Sequence, residues 1–417
     1  MRGLVWSLTA ATALALVASP LSAQDASDTE APATTIQPLA LEFSAEGLSG
    51  PGAAALRSEI EGAQFIAIGE DHGFADPPAL LAAFAAEGKS HGFDTYAIEV
   101  GPWSTAWIRE RLTTGGVDGL AKDLEGRPLS LPFLSLREEA EAAMGFLEDG
   151  RLWGIDQEFI GSSMIHLDWF AERAGEGAAG DELRAWAEAD REAFAAGQQQ
   201  TVFMVTAGPD KWARLREIFA GDSEALKLVD ALEQSQSIYL ANFTGRGFDN
   251  NTDRVTMIRD YFMDQYLAAK AERGVAPRVL FKMGATHIGA GTSPMKTFDI
   301  GSLIEGIAAG EGRDVLRIAY LPMGGEQIGI RPSPDGAFSV RPAKPNEKLL
   351  TPLKEAGVDL AAIGEEGHYV IALEPVRRAL QNGGLNDADW MARYVLLGFD
   401  YVVTTKAGKP GTPLAER

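Results

Sequence analysis

Short apolar runs that end in Gly or a charged residue recur along the chain. They are Phe65-Ile66-Ala67-Ile68, Thr95-Tyr96-Ala97-Ile98, Leu152-Trp153-Gly154-Ile155, Val279-Leu280-Phe281 and Leu316-Arg317-Ile318-Ala319-Tyr320. Two later runs are Tyr369-Val370-Ile371-Ala372-Leu373 and Tyr401-Val402-Val403-Thr404. Such runs predict buried parallel strands. Helical patterns separate most of them, for example Pro78 to Glu87 and Arg137 to Glu148. The alternation predicts an α/β fold: a mostly parallel central sheet flanked by helices.

The stretch from about 163 to 271 differs, with Ala-rich amphipathic helix patterns and few strand-like runs. Asn250-Asn251-Thr252-Asp253 reads as the cap of a long helix whose stripe is Val255, Ile258, Phe262 and Tyr266. This stretch is expected to be a helical insertion forming one wall of a cleft. The folded α/β domain is expected over 41–417, preceded by a linker at 24–40 that is rich in Ala, Thr, Asp and Pro.

The N-terminus has the pattern of a secretory signal over 1–23: Arg2, an apolar run from Leu4 to Val17, then Leu21-Ser22-Ala23. No other segment has the run of roughly eighteen apolar residues that spans a bilayer. The expected location is periplasmic or secreted, with no membrane insertion after signal removal. The formal charge is −22, and the mature chain is more negative still because Arg2 goes with the leader. Such a surface repels nucleic acid phosphates and anionic membranes and reads as a solubility feature; the expected partner is a small-molecule substrate and no nucleic acid. The absence of cysteine excludes disulfides, thiolate metal sites and a thiol nucleophile. Oligomeric state is not legible.

Ligands of open α/β sheets bind at the carboxyl ends of strands. The residues placed there are Glu70, Asp71 and His72 after the first run, Glu99 after the second, Asp156, Gln157 and Glu158 after the third, and His287 after the Val279 run. A histidine flanked by carboxylates is held in one tautomer and made more basic, so it can take a proton from water near neutral pH. The same residues are also a ligand set for a divalent metal. Asp71, Asp156 and Glu158 can equally cap helices. Arg259 follows an apolar residue on a helix read as mostly buried. It either meets a ligand or forms an ion pair with Asp260 or Asp264. No Gly-x-Ser-x-Gly elbow, Walker loop, His-Glu-x-x-His or dinucleotide fingerprint is present.

Six segments in order resemble the erythromycin esterase superfamily, which includes haem-binding iron-uptake proteins of related fold. They are Gly69-Glu70 with His72-Gly73, Gly92-Phe93 leading to Ala97-Ile98-Glu99, Gly154-Ile155-Asp156, Arg259-Asp260 with Met263, Lys282 to His287, and Phe399 to Val402 with Gly411-Thr412-Pro413. The chain departs from the esterase pattern in having only Asp71 between Glu70 and His72, and Asp264-Gln265-Tyr266 after Met263. The resemblance implies cofactor-free hydrolysis of an ester, such as a macrolactone or another bulky apolar ester. His72 would be the base, Glu70 and Glu99 would orient it or the water, and Arg259 and His287 would bind the oxyanion. Asp71, Asp156 and Glu158 are expected to contact substrate. The rival expectations are a metal-dependent hydrolase and a haem- or apolar-ligand-binding protein without turnover.

Overall fold

The computed structural model describes residues 35–127, 129–148, 151–333 and 336–415; the expected signal and most of the expected linker lie outside them. Eleven strands are present among the described residues. They are β1 (Leu39–Ser44), β2 (Gly47–Ser49), β3 (Ala63–Glu70), β4 (Phe93–Ile98), β5 (Leu152–Gly154), β6 (Arg278–Gly284), β7 (Asp314–Tyr320), β8 (Glu326–Ser333), β9 (Gly336–Pro342), β10 (His368–Ala372) and β11 (Tyr401–Thr404). Nine of them form one sheet in the order β2-β1-β10-β11-β7-β3-β6-β4-β5. From β11 to β5 every neighbouring pair is parallel, while β2, β1 and β10 run antiparallel at the other end.

The unbroken apolar runs are explained by packing on both faces. In β3, Ile66 and Ile68 enter one core with Leu80 and Phe84, whereas Phe65 and Ala67 enter another with Phe262 and Phe281. Successive side chains point to opposite faces, so a strand covered on both sides needs apolar residues at every position. All seven runs read from the sequence are strands, and the α/β class is the one expected.

The described chain between β5 and β6 is helical, from the Ser163–Ala174 helix to the Gly247–Arg273 helix. Its first part has a core of its own around Leu183, Phe203, Trp212 and Leu232. The Gly247–Arg273 helix turns Val255, Ile258, Phe262 and Tyr266 inward, as the stripe predicts. Its start differs from expectation: Arg246 precedes the first helical residue, and Asn250 N–H already bonds to Arg246 O. Asn250 to Asp253 therefore lie inside the helix, and the Asn250 amide donates to Ile238 O at 2.6 Å.

Two further departures concern strands. The described end of the stretch read as linker is built into the fold: Ile36 bridges to Val358, and Leu39 opens β1 against β10. Pairing with backbone, rather than apolar density, holds it. The β8–β9 hairpin was also not foreseen. Its backbone pins the loop after β3, with Ile328 N–H on Gly73 O and the Gln327 amide donating to His72 O at 2.8 Å. Gly73 has φ 95°, and a Cβ there would lie 2.1 Å from Ile328 O, so this close approach requires glycine.

Candidate active site

The strands β3, β6, β4 and β5 are contiguous and parallel, so the residues that follow them emerge side by side at one edge. Glu70 ends β3, Glu99 follows β4, Asp156 follows β5, and His287 sits in the short Ala285–Ile288 helix after β6. Glu70, Glu99, Asp156 and His287 are buried. His72 is the open member, with 34% of its side chain exposed.

His72 is held from both ends. Its Nδ1 meets Glu70 Oε1 at 2.8 Å, and its Nε2 faces Glu99 Oε2 at 3.7 Å. Phe133 stacks on the ring at 4.2 Å between centroids. Glycine at 284 permits this packing, since a Cβ there would lie 3.0 Å from His72 Nε2. Gly284 N–H also donates to Glu99 Oε2 at 2.6 Å.

An arginine and two histidines surround Glu99. Arg254 Nη2 lies 2.9 Å and His287 Nε2 3.5 Å from Glu99 Oε1, with His72 on the other oxygen. Arg254 also forks onto Asp156, with Nε on Oδ1 at 2.9 Å and Nη2 on Oδ2 at 2.5 Å. His287 Nδ1 meets Asp299 Oδ2 at 2.8 Å, and the other Asp299 oxygen caps the Ile300–Gly310 helix. Beneath Glu70 lies a buried lysine. Lys282 Nζ donates to Glu70 Oε1 and to Glu139 Oε1, both at 2.7 Å.

These contacts set the charges. Burial opposes ionisation of Glu99, but His72, His287 and Arg254 outweigh it and hold the carboxyl down at about 2. Burial likewise opposes Glu70, and Lys282 and His72 overcome it, leaving the carboxyl below its ordinary value. Burial would lower His72, yet Glu99 and Glu70 raise it above the usual imidazole value. His287 is also raised, with Asp299 overcoming burial. Glu139 goes the other way: burial pushes it up to about 7 despite Lys282.

The expected site residues thus divide. Glu70, His72, Glu99 and His287 converge, and Asp156 joins them through Arg254. Asp71 lies exposed beside His72. Glu158 does not join the cluster. Its carboxylate accepts from Trp103 N–H and Ser104 N–H at the start of the Pro102–Asp123 helix and contacts His166 Nε2 at 2.9 Å. Arg259 is a correction: it is exposed, away from the site. Arg254 supplies the guanidinium, because positions five apart on a helix fall on different faces while Arg254 and the buried Ile258 share one. Lys282, Asp299, Glu139 and Phe133 were not singled out. A lysine directly after the Val279 run and before further apolar residues was a legible signal, since a buried ammonium needs carboxylate partners.

No family model matches the chain, and no curated protein matches it. Several solved structures align over most of its length. One is a mutant of the erythromycin esterase EreC in its open conformation, at 16% identity over 86% of this chain and 94% of that one, with a TM-score of 0.49. Another is a protein from Bacillus cereus, at 12% identity over 90% and 96%, with a TM-score of 0.48. A third is a succinoglycan biosynthesis protein, at 13% identity over 90% and 95%, with a TM-score of 0.50. At these identities the likeness is one of fold.

Proposed function

We propose that this chain is an exported hydrolase of the erythromycin esterase type that cleaves an ester with a water activated by His72. The observation that carries this reading is the position of His72: part-exposed, fixed at Nδ1 by Glu70, with Nε2 turned toward Glu99. Donation from Nδ1–H to Glu70 leaves the Nε2 lone pair as the base. A water between Nε2 and Glu99 gives its proton to Nε2 as its oxygen attacks the ester carbonyl carbon. The carbonyl π electrons pass to oxygen, and Arg254 and His287 are the cationic donors available to that oxyanion. When the intermediate collapses, the C–O bond breaks and His72 returns the proton to the departing alkoxide. The products are a carboxylic acid and an alcohol. The motif order in the sequence supports the esterase reading, and the apolar leader supports export.

The proposed reaction uses no metal step: the carboxylates of the cluster face Arg254, Lys282 and the two histidines, which supports an acid–base role for them.

The test is hydrolysis of a panel of lactones and activated esters by the purified mature protein, whose N-terminal mass checks leader removal. His72→Ala should reduce kcat by roughly a hundredfold to ten-thousandfold, with the fold retained and no effect of a chelator. Unchanged turnover in that variant would remove the base. Activity lost to chelator and restored by a divalent ion would make these residues ligands instead.

A further inference from the structure

A second cluster of chemistry lies on the other side of Glu158. Trp103 and Trp107 stand four residues apart on the Pro102–Asp123 helix and so share a face. Trp169, from the Ser163–Ala174 helix, stands opposite. Together they wall a cavity of about 150 Å³ that has His166 in its lining and Glu110 and Glu224 at its rim. A dry cavity of roughly this size admits a molecule as large as benzene.

Two of the three walls already meet a cation. The Arg111 guanidinium sits 4.2 Å from the Trp107 ring centre, and that of Arg173 sits 4.8 Å from the Trp169 ring centre. Neither arginine lines this cavity. The indole surfaces turned into it are therefore not covered by those cations, and electron-rich ring faces attract a cation most strongly when it is desolvated.

His166 adds direction. It is 2% exposed, and its Nε2 lies 2.9 Å from Glu158 Oε2 and 3.2 Å from Ser104 Oγ. Glu158 accepts from two backbone N–H groups and from the Ser104 hydroxyl, and the matching His166 tautomer is the one that donates Nε2–H to Glu158. Nδ1 then holds a lone pair and has no hydrogen-bond partner among the described residues. The cavity thus offers three aromatic walls, one buried acceptor and an acidic rim. Glu158 also offsets the positive end of the Trp103 helix, which would otherwise repel a cation.

We propose that this cavity binds a small substituted ammonium ion carrying an N–H, with the alkyl groups against the tryptophans and the N–H donated to His166 Nδ1. This goes beyond the hydrolytic reading and does not depend on it.

Titration of the full mature protein, followed by tryptophan fluorescence and calorimetry, tests the assignment. Trimethylammonium chloride should give saturable binding. The neutral isostere tert-butanol should bind more weakly by roughly tenfold or more, because it lacks the cation–π attraction. Tetramethylammonium should be weaker by about tenfold, because it leaves the buried acceptor unmatched. Trp103→Leu should abolish binding, Trp103→Tyr should restore part of it, and His72→Ala should leave the affinity unchanged. Equal binding of tert-butanol and trimethylammonium, or full affinity in Trp103→Leu, would overturn the proposal. Tetramethylammonium binding as tightly as trimethylammonium would overturn the role of His166.

Discussion

Two carboxylates raise the basicity of His72, and their removal has a defined sign. A general base works only when neutral, so kcat/KM should climb with pH through the elevated value of His72. Glu70→Gln keeps an acceptor for Nδ1–H but removes one of the two charges that favour the imidazolium. The climb should move to lower pH. Glu99→Gln should move it in the same direction and also lower kcat, because the carboxylate that faces the water is lost. A pH–rate series on the three proteins checks this. An acid limb that stays in place in both variants would show that another group is titrating. Glu139, held up at about 7 by burial, is the nearby carboxyl to examine in that event.

The Gly247–Arg273 helix illustrates how rotation about the helix axis decides a residue's role. Arg254 reaches Glu99 and Asp156, whereas Arg259, read as the functional arginine, looks out to solvent. Arg254→Ala would leave the buried Asp156 without its cation and remove one of the partners of Glu99, a loss of about 3–5 kcal/mol. Arg259→Ala should change stability by no more than about 0.5 kcal/mol. Urea unfolding followed by circular dichroism separates the two. Comparable small losses in both would mean that Arg254 is not holding the buried acids. The β8–β9 hairpin acts at the same level, since its backbone fixes the His72 loop from outside the sheet.

Stability against pH should be bounded on both sides by the same cluster. Glu99 and Glu70 have lowered values in the fold. Their contribution is present above the ordinary carboxylate range and is lost as pH falls, for Glu99 toward about 2. His72 and His287 have raised values. Their contribution is complete below the ordinary imidazole value of about 6.5 and is lost as pH rises through the folded value. The maximum should therefore fall between about pH 4.5 and 6.5. Net repulsion at −22 steepens the alkaline side. Denaturant midpoints across pH check this, and Asp299→Asn should flatten the alkaline limb by removing the main partner of His287. An alkaline limb unchanged by Asp299→Asn would place its origin elsewhere.

The apolar runs carried the sheet: residues buried on both faces must be apolar at each position, so β3, β4, β5, β6, β7, β10 and β11 were legible locally. The ends of three of those strands, β3, β4 and β6, carried Glu70, His72, Glu99 and His287, because strand ends at a parallel edge are where polar groups can gather. Strand β1 was not legible, since its pairing with the distant β10 backbone leaves no local signature; the β8–β9 hairpin pairs within itself and its strands do not carry the unbroken apolar runs of the buried sheet. The exchange of Arg259 for Arg254 was hidden for a related reason. Helical periodicity gives the spacing of a stripe, but the rotation of the helix against the sheet is set by packing, as when Phe262 meets Phe65 and Phe281. Glu139 and Asp299 reach Lys282 and His287 from segments far along the chain or beyond a loop. Their charges became part of the site through folding, and nothing in their own neighbourhoods marked them.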